Sequence, residues 1–205
     1  KFGIDFSDLN VIIPSMGLFN KESKYKILFV ASEAAPFVKV GGLGEVMYAL
    51  PKELRGLGHD VRVMIPKYAT INPEYFQLKL ELKGLEPMPE EHDPHGLFIS
   101  NVLRYENKKG EVEAYFLENK EYYERRANTY GYSDDAIRWA LLSKGVLEFL
   151  RQSDWTPDIL VASDWQTGLI PNYLHTDYKD VPVLSKFATV FSIHNLAFQG
   201  MFDHH

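Results

Sequence analysis

The chain has 205 residues, 45% of them hydrophobic and 14% aromatic, enough for one large packed domain or two small ones. Its 22 Lys and Arg against 28 Asp and Glu give a formal charge of -6, which leaves no footprint of a basic face and makes nucleic acid and anionic membranes poor candidates as main partners, though a local cluster can still bind an anion. The absence of cysteine removes disulfides, thiolate metal sites and cysteine nucleophiles, and no apolar stretch is long enough to span a bilayer.

Residues 1–25 are irregular, with Pro14, Gly17 and a polar "NKESK", and read as a leader or linker without the features of a secretory signal. The opening Lys1 and the closing "MFDHH" point to a piece of something longer. "KILFVAS" (26–32) is a nearly continuous apolar run, the pattern of a strand buried on both faces of a parallel sheet. After the loop "KVGGLGE" (39–45), Leu43, Val46, Met47, Leu50, Leu54 and Leu57 recur at helical spacing, with Gly58 placed to cap the helix. Pro51 inside that pattern predicts a kink or the start of a second helix. "DVRVMIP" (60–66) alternates as a second strand and completes a βαβ unit with a right-handed crossover.

The middle of the chain offers strands at "FQLKLEL" (76–82), "LFISNVLRY" (97–105) and "EVEAYFL" (111–117), separated by polar turns. "DDAIRWALLSKGVLEFL" (134–150) is a helix with Asp134 and Asp135 at its positive end. Parallel α/β order returns with a strand at "PDILVAS" (157–163), a short Pro-broken helix at "WQTGLIPNYLH" (165–175) and a strand at "FATVFSI" (187–193). The fold class is therefore α/β, a Rossmann-like, mostly parallel sheet flanked by helices.

Strands at 26–32, 157–163 and 187–193 end in conspicuous residues: the Lys39 and glycine loop, Asp164 with Trp165, and His194 with Asn195. In open parallel sheets the ligand crevice lies beyond the carboxyl ends of the strands, so these tips can face one cleft. The glycine loop fits close approach of backbone N–H groups to a phosphate or diphosphate, with Lys39 adding a full charge. It also fits a flexible turn with a solvated lysine, and it is neither a P-loop nor a complete dinucleotide fingerprint. Asp164 reads as a site acid or as a cap for the helix at Trp165, and His194 as a site residue or a satisfied core histidine. "DHH" at 203–205 carries a metal or tag reading, and Tyr122 and Tyr123 read as core.

Taken in order over residues 26–202, "KILFVASEAAPFVKVGGLGEV", "YGYSDDAIRWALLS", "SDWQTGLIP" and "IHNLAFQGMF" resemble successive blocks of bacterial glycogen synthases and plant starch synthases. The resemblance implies the N-terminal, acceptor-side Rossmann-like domain of a two-domain GT-B glycosyltransferase over 26–205, with the C-terminal nucleotide-binding domain absent. It implies transfer of glucose from ADP-glucose, or UDP-glucose, to the non-reducing end of an α-1,4-glucan with retention, in the cytoplasm or in a plant plastid. By the same resemblance Lys39, Gly41 and Gly42 approach the donor diphosphate, Asp164 and His194 line the sugar site, and Asn195, Gln199 and Gly200 shape the loop beneath. The implied mechanism is front-face displacement with no cofactor and no metal, the diphosphate being met by fixed N–H groups and cations. Glu45 stands where the family usually has Asp, Val161 and Ser163 replace residues of its "HxHDW" pattern, and Phe198 replaces the commoner Tyr. The competing readings are a non-catalytic glucan-binding or regulatory module of the same fold, and another GT-B transferase such as a sucrose synthase.

Overall fold

In the computed structural model, which describes residues 23–106 and 110–202, the apolar run after Tyr25 forms β1 (Lys26–Val30), buried from Ile27 to Val30. The leader reading of residues 1–25 falls almost wholly outside the described residues, as does "DHH" at 203–205. A strand without a polar face needs both sides covered, and β1 lies inside a seven-stranded sheet. The other strands are β2 (Asp60–Pro66), β3 (Lys79–Leu85), β4 (Ser100–Tyr105), β5 (Glu113–Glu118), β6 (Ile159–Ser163) and β7 (Ala188–Ser192), in the order β3-β4-β5-β2-β1-β6-β7. From β5 to β7 every pairing is parallel, and β3 and β4 extend one edge antiparallel. This is the α/β, mostly parallel, Rossmann-like sheet expected from the sequence.

The helix α1 (Gly42–Gly56) links β1 to β2, α3 (Asp135–Gln152) links β5 to β6, and α4 (Leu169–His175) links β6 to β7. Right-handed crossovers that travel in opposite directions along the sheet put α1 on one face and α3 with α4 on the other, where those two pack together. The strand order turns back between β1 and β6. That switch opens a crevice at the carboxyl ends of the strands.

Local differences from the expected elements have local causes. α1 runs through Pro51 as one helix and ends in a Schellman arrangement: Gly58, at φ +96, donates its N–H to Arg55 O (2.9 Å), and His59 N–H reaches Leu54 O (3.3 Å). In segment 165–175 the break falls at Gly168, between a 3-10 turn (Trp165–Thr167) and α4, and not at Pro171. Pro171 sits in the first turn of α4, where its missing N–H has no intrahelical partner to lose. β3 begins at Lys79 because Asn72 caps a single turn, α2 (Pro73–Phe76), its Oδ1 accepting the N–H groups of Glu74 and Tyr75 at 2.9 Å. An unanticipated π-helical turn (Lys120–Glu124) follows β5, and it carries Tyr122 and Tyr123 into the core as expected.

The two sheet edges differ. β3 intersperses its leucines with Lys79, Glu81 and Lys83, whereas along and after β7 the side chains of Val190, Phe191, Ile193, Leu196, Phe198 and Met201 are exposed. Among the described residues no helix is long and apolar enough to cross a membrane.

α3 approaches the sheet closely at Gly145, where an added Cβ would lie 2.6 Å and 2.9 Å from the δ-carbons of Leu117, a fully buried residue of β5. Overpacking of this kind costs about 1–3 kcal/mol, against about 1 kcal/mol of helix propensity gained. Gly145→Ala is expected to lower the melting temperature, and combining it with Leu117→Val to recover part of the loss. Calorimetry of the two single variants and the double variant checks this through their non-additivity.

Candidate active-site cleft

β1 continues past Val30 into Ala31, Ser32 and Glu33, all buried. A carboxylate that is 3% exposed needs donors, and Glu33 finds them in the backbone of the glycine loop. Its Oε2 accepts the N–H of Val40 in a short bond and the N–H of Gly41 at 3.0 Å. The base of this side chain is gripped as well: the Tyr68 hydroxyl donates to Ser32 O at 2.7 Å, and Ser32 Oγ shares a hydrogen bond with the Tyr130 hydroxyl at 2.8 Å. Bare backbone in the loop is thus explained partly by Glu33. A Cβ on Gly44 would meet Glu33 Oε2 at 3.1 Å and Lys39 Cα at 3.2 Å, while one on Gly42 would meet nothing within 4 Å.

Gly41 is the extended residue before α1, and no side chain caps the helix. Lys39 is exposed and its Nζ lies against Glu45 Oε2, also exposed, so the departure at position 45 supplies the lysine's partner. An exposed pair of this kind is worth little, and the lysine can leave it cheaply.

Across the switch, β6 ends in the same way. "VASE" (30–33) closes β1 and "VASD" (161–164) closes β6, and the second acid also accepts two consecutive backbone N–H groups. Asp164 Oδ1 takes the N–H of His194 at 2.6 Å and that of Asn195 at 3.2 Å, tying the loop after β7 to the tip of β6. Asp164 does not cap the following turn with its side chain, which sets aside the capping reading. It is 7% exposed and its backbone stands at φ +61, a conformation that costs a residue with a Cβ about 1–3 kcal/mol. The two charge-assisted bonds, together with Thr167 N–H donating to Asp164 O at 3.1 Å, hold it there.

His194 is exposed, with Nε2 3.1 Å from Ser192 Oγ, so it is not a core histidine. Asn195 Oδ1 accepts the N–H groups of Ala197 (2.9 Å) and Phe198 (3.3 Å), which turns the chain. Gln199 Nε2 donates to Asn195 O in a short bond. Gly200, at φ +63, passes so close to Trp165 that a Cβ would lie 2.2 Å from the indole.

The third wall comes from the segment before α3. Asp135 Oδ2 accepts Gly131 N–H at 2.8 Å, and its Oδ1 pairs with Arg138 Nη1 at 2.5 Å. Arg138 is fully buried and also donates to Tyr122 O (2.8 Å) and Thr129 O (3.0 Å), fixing the stretch that presents Tyr130. Burial pushes the Tyr130 phenol well up, the Ser32 hydrogen bond opposing and the negative charges of Glu33 and Asp164 adding to the rise, so it stays protonated at neutral pH. Asp134 stands at the start of α3, where its side chain pairs with Arg126 Nη2 at 2.6 Å and makes no capping hydrogen bond.

These walls enclose a cleft of about 670 Å³ at the β1/β6 switch. Gly41, Gly42, Asp164, His194 and Asn195 line it; Lys39, Gln199 and Gly200 do not. The three strand tips therefore meet, as the topology required. The lining includes Glu33, Asp135 and Asp164 but no Lys or Arg. Among the described residues no group of His, Asp and Glu is placed to hold a metal ion. Sequence reasoning missed Glu33, Tyr130 and Arg138. The repeated "VAS" plus acid was the available signal for the first, and an arginine inside the apolar helix "AIRWALL" for the last.

A family model described as starch synthase catalytic domain matches residues 26–205. A glycogen synthase of Clostridium botulinum is 47% identical over 180 residues, covering 87% of this chain and 36% of the relative. One from Geotalea daltonii is 42% identical over 182 residues, covering 86% of this chain and 36% of its own length. Among solved structures, the catalytic domain of starch synthase IV from Arabidopsis thaliana, bound to ADP and acarbose, superposes with a TM-score of 0.73 at 27% identity, over 86% of this chain and 35% of that one. The chain thus spans about a third of the length of the proteins it matches.

Removing the Asp164 carboxylate should free the loop after β7. Asp164→Ala is expected to speed chymotryptic cleavage at Leu196 and Phe198 by about ten-fold, the worth of a charge-assisted hydrogen bond. Asp164→Asn, which keeps an acceptor oxygen, should fall between. Cleavage rates unchanged by either substitution would show that the carboxylate does not hold the loop.

Proposed function

This chain belongs to the starch synthase catalytic domain family, and we propose that it forms the acceptor-side half of a retaining glucosyltransferase. The donor is a sugar nucleotide, ADP-glucose ahead of UDP-glucose, and the acceptor is the non-reducing end of an α-1,4-glucan. The observation that carries this reading is the meeting of Gly41 and Gly42, Asp164, and His194 in one cleft at the switch point. The similar starch synthase IV domain, bound to ADP, supports an adenine nucleotide as donor.

In this reading the diphosphate lies at the uncapped start of α1, where Gly42 leaves room for it and the helix dipole favours its charge. Lys39 leaves Glu45 to join it. Asp164 has one oxygen engaged by backbone N–H groups, and its Oδ2, without a partner among the described residues, contacts a sugar hydroxyl. His194 stands beside it, held by the same carboxylate, while Asn195, Gln199 and Gly200 set the shape of its loop. The acceptor hydroxyl enters on the face the diphosphate leaves, and the fixed N–H groups stabilise the charge that develops.

Residues 26–205 are read as this domain and 1–25 as its leader or linker. A second Rossmann-like domain of the same parent protein faces the cleft. A lining of carboxylates without Lys or Arg supports that placement, because a leaving diphosphate needs more cationic charge than Lys39 alone can bring to it. The exposed apolar residues along and after β7 mark further surface to be covered.

Two measurements test the reading. The full-length parent should elongate glucan from ADP-glucose faster than from UDP-glucose, and the present chain alone should be slower by roughly three powers of ten or more. Robust elongation by the chain alone would refute the half-site. In the parent, Lys39→Ala should raise the donor KM while leaving unfolding stability within about 0.5 kcal/mol, as for a surface substitution. Unchanged kinetics would leave the lysine as a solvated surface charge.

A further inference from the structure

We propose that Glu33 is the positioning residue of the glycine loop: its buried carboxylate occupies the amides of Val40 and Gly41 and so leaves Gly42, at the first turn of α1, as the part open to an anion. This deepens the functional reading above and rests on it for the identity of that anion, the donor diphosphate.

The loop contains two kinds of space. At Gly41 the nearest atom to an added Cβ is Glu33 Oε1, at 3.4 Å, and at Gly44 it is Glu33 Oε2, at 3.1 Å. Both glycines face the protein's own carboxylate, and Gly44 is the tighter of the two. At Gly42 nothing lies within 4 Å, so that glycine alone is bare toward open space.

A concavity of backbone N–H groups attracts any anion, and here the first one is built in. Glu33 Oε2 already holds Val40 and Gly41, so a phosphate oxygen would have to displace a charged, 3% exposed side chain to use them. The first-turn amides of α1 carry no side-chain cap and are spared that competition. Glu33 cannot easily move aside either. Its neighbour Ser32 is held through its carbonyl by Tyr68 and through its hydroxyl by Tyr130. A neutral or shorter residue at 33 would return Val40 and Gly41 to the pool of free donors and let the loop, with Lys39 on it, drift from the start of α1.

Amide hydrogen exchange on this chain tests the clamp without any assay of sugar transfer. In Glu33→Ala the Val40 and Gly41 amides should exchange about ten-fold faster or more, in keeping with loss of hydrogen bonds to a charged group, with β1 and α3 amides unchanged. Glu33→Gln, nearly isosteric, should fall between, and it carries the comparison if Glu33→Ala does not fold. Gly44→Ala should give the same loop signature with Glu33 still present, whereas Gly42→Ala should not. In the full-length protein Glu33→Gln and Gly44→Ala should each raise the donor KM about ten-fold and leave the glucan KM within about two-fold, a split that general destabilisation does not produce. Unchanged exchange at Val40 and Gly41 overturns the proposal, as does acceleration spread evenly through β1, which makes Glu33 a core strut. A full-length protein that transfers no glucose would sink the functional reading, while the exchange result would still decide the role of Glu33.

Discussion

A carboxylate taken out of water must be met by donors, and this single requirement builds the walls of the cleft. Glu33, Asp164 and Asp135 all line it, and each has its donors within the protein: Val40 and Gly41, His194 and Asn195, Gly131 and Arg138. Most of those donors are backbone N–H groups of loops. A loop that must bring consecutive amides to one oxygen loses most of its freedom, so the acids convert strand tips into fixed anchor points. Three acids around a cleft suggest acid–base chemistry at first sight. Here their first task is architectural, and only groups left over from it, such as Asp164 Oδ2 and the Gly42 backbone, are available to a ligand.

The anchors are unequal because the strands beneath them are. β1 is flanked by β2 and β6 and buried from Ile27 to Val30, and β6 lies between β1 and β7. β7 is an edge strand with exposed residues, and the loop after it is exposed through Gln199. One side of the cleft is therefore set by the core, and the other depends on Asp164 and on the packing of Gly200 against Trp165. The positive φ of Asp164 fits this account, since an edge loop must be caught by a side chain turned out of the ordinary strand direction.

Much of this was legible in the residues. Runs such as "KILFV" and "PDILV" are apolar on both faces, which by itself demands a covered parallel sheet, and that sheet places the tips of 26–32, 157–163 and 187–193 together. The structure differs from the linear pattern where a polar side chain decides: Asn72 caps a helical turn over the start of the expected strand, and Asn119 caps a π-helical turn where the pattern offers no element. Lys39 is legible because a cation beside glycines is a familiar phosphate signal. Glu33 is not, because nothing in a linear reading says that a glycine is bare on account of an acid eight to eleven positions earlier. Asp164 was ambiguous for the same reason, as its partners His194 and Asn195 lie some thirty residues away. Contacts of that range are set by topology, and the topology emerges only after all the strands are placed.

The distribution of charge carries a last consequence for the proposed reaction. A cleft half that held its own free cations would bind a nucleoside diphosphate before and after transfer alike, and uniform binding lowers KM without speeding the chemical step. In this half Lys39 rests on Glu45 at the surface and Arg138 is locked behind Asp135, so neither is committed to the cleft. What it offers permanently is weaker: helix-start amides and a loop braced by Glu33. With cations arriving from a facing domain, full stabilisation of the leaving group would exist only while the two halves are closed, and product would be released as they part. A braced loop beside an uncommitted lysine suits that cycle, because the geometry is set in advance while the charge is assembled only when it is needed.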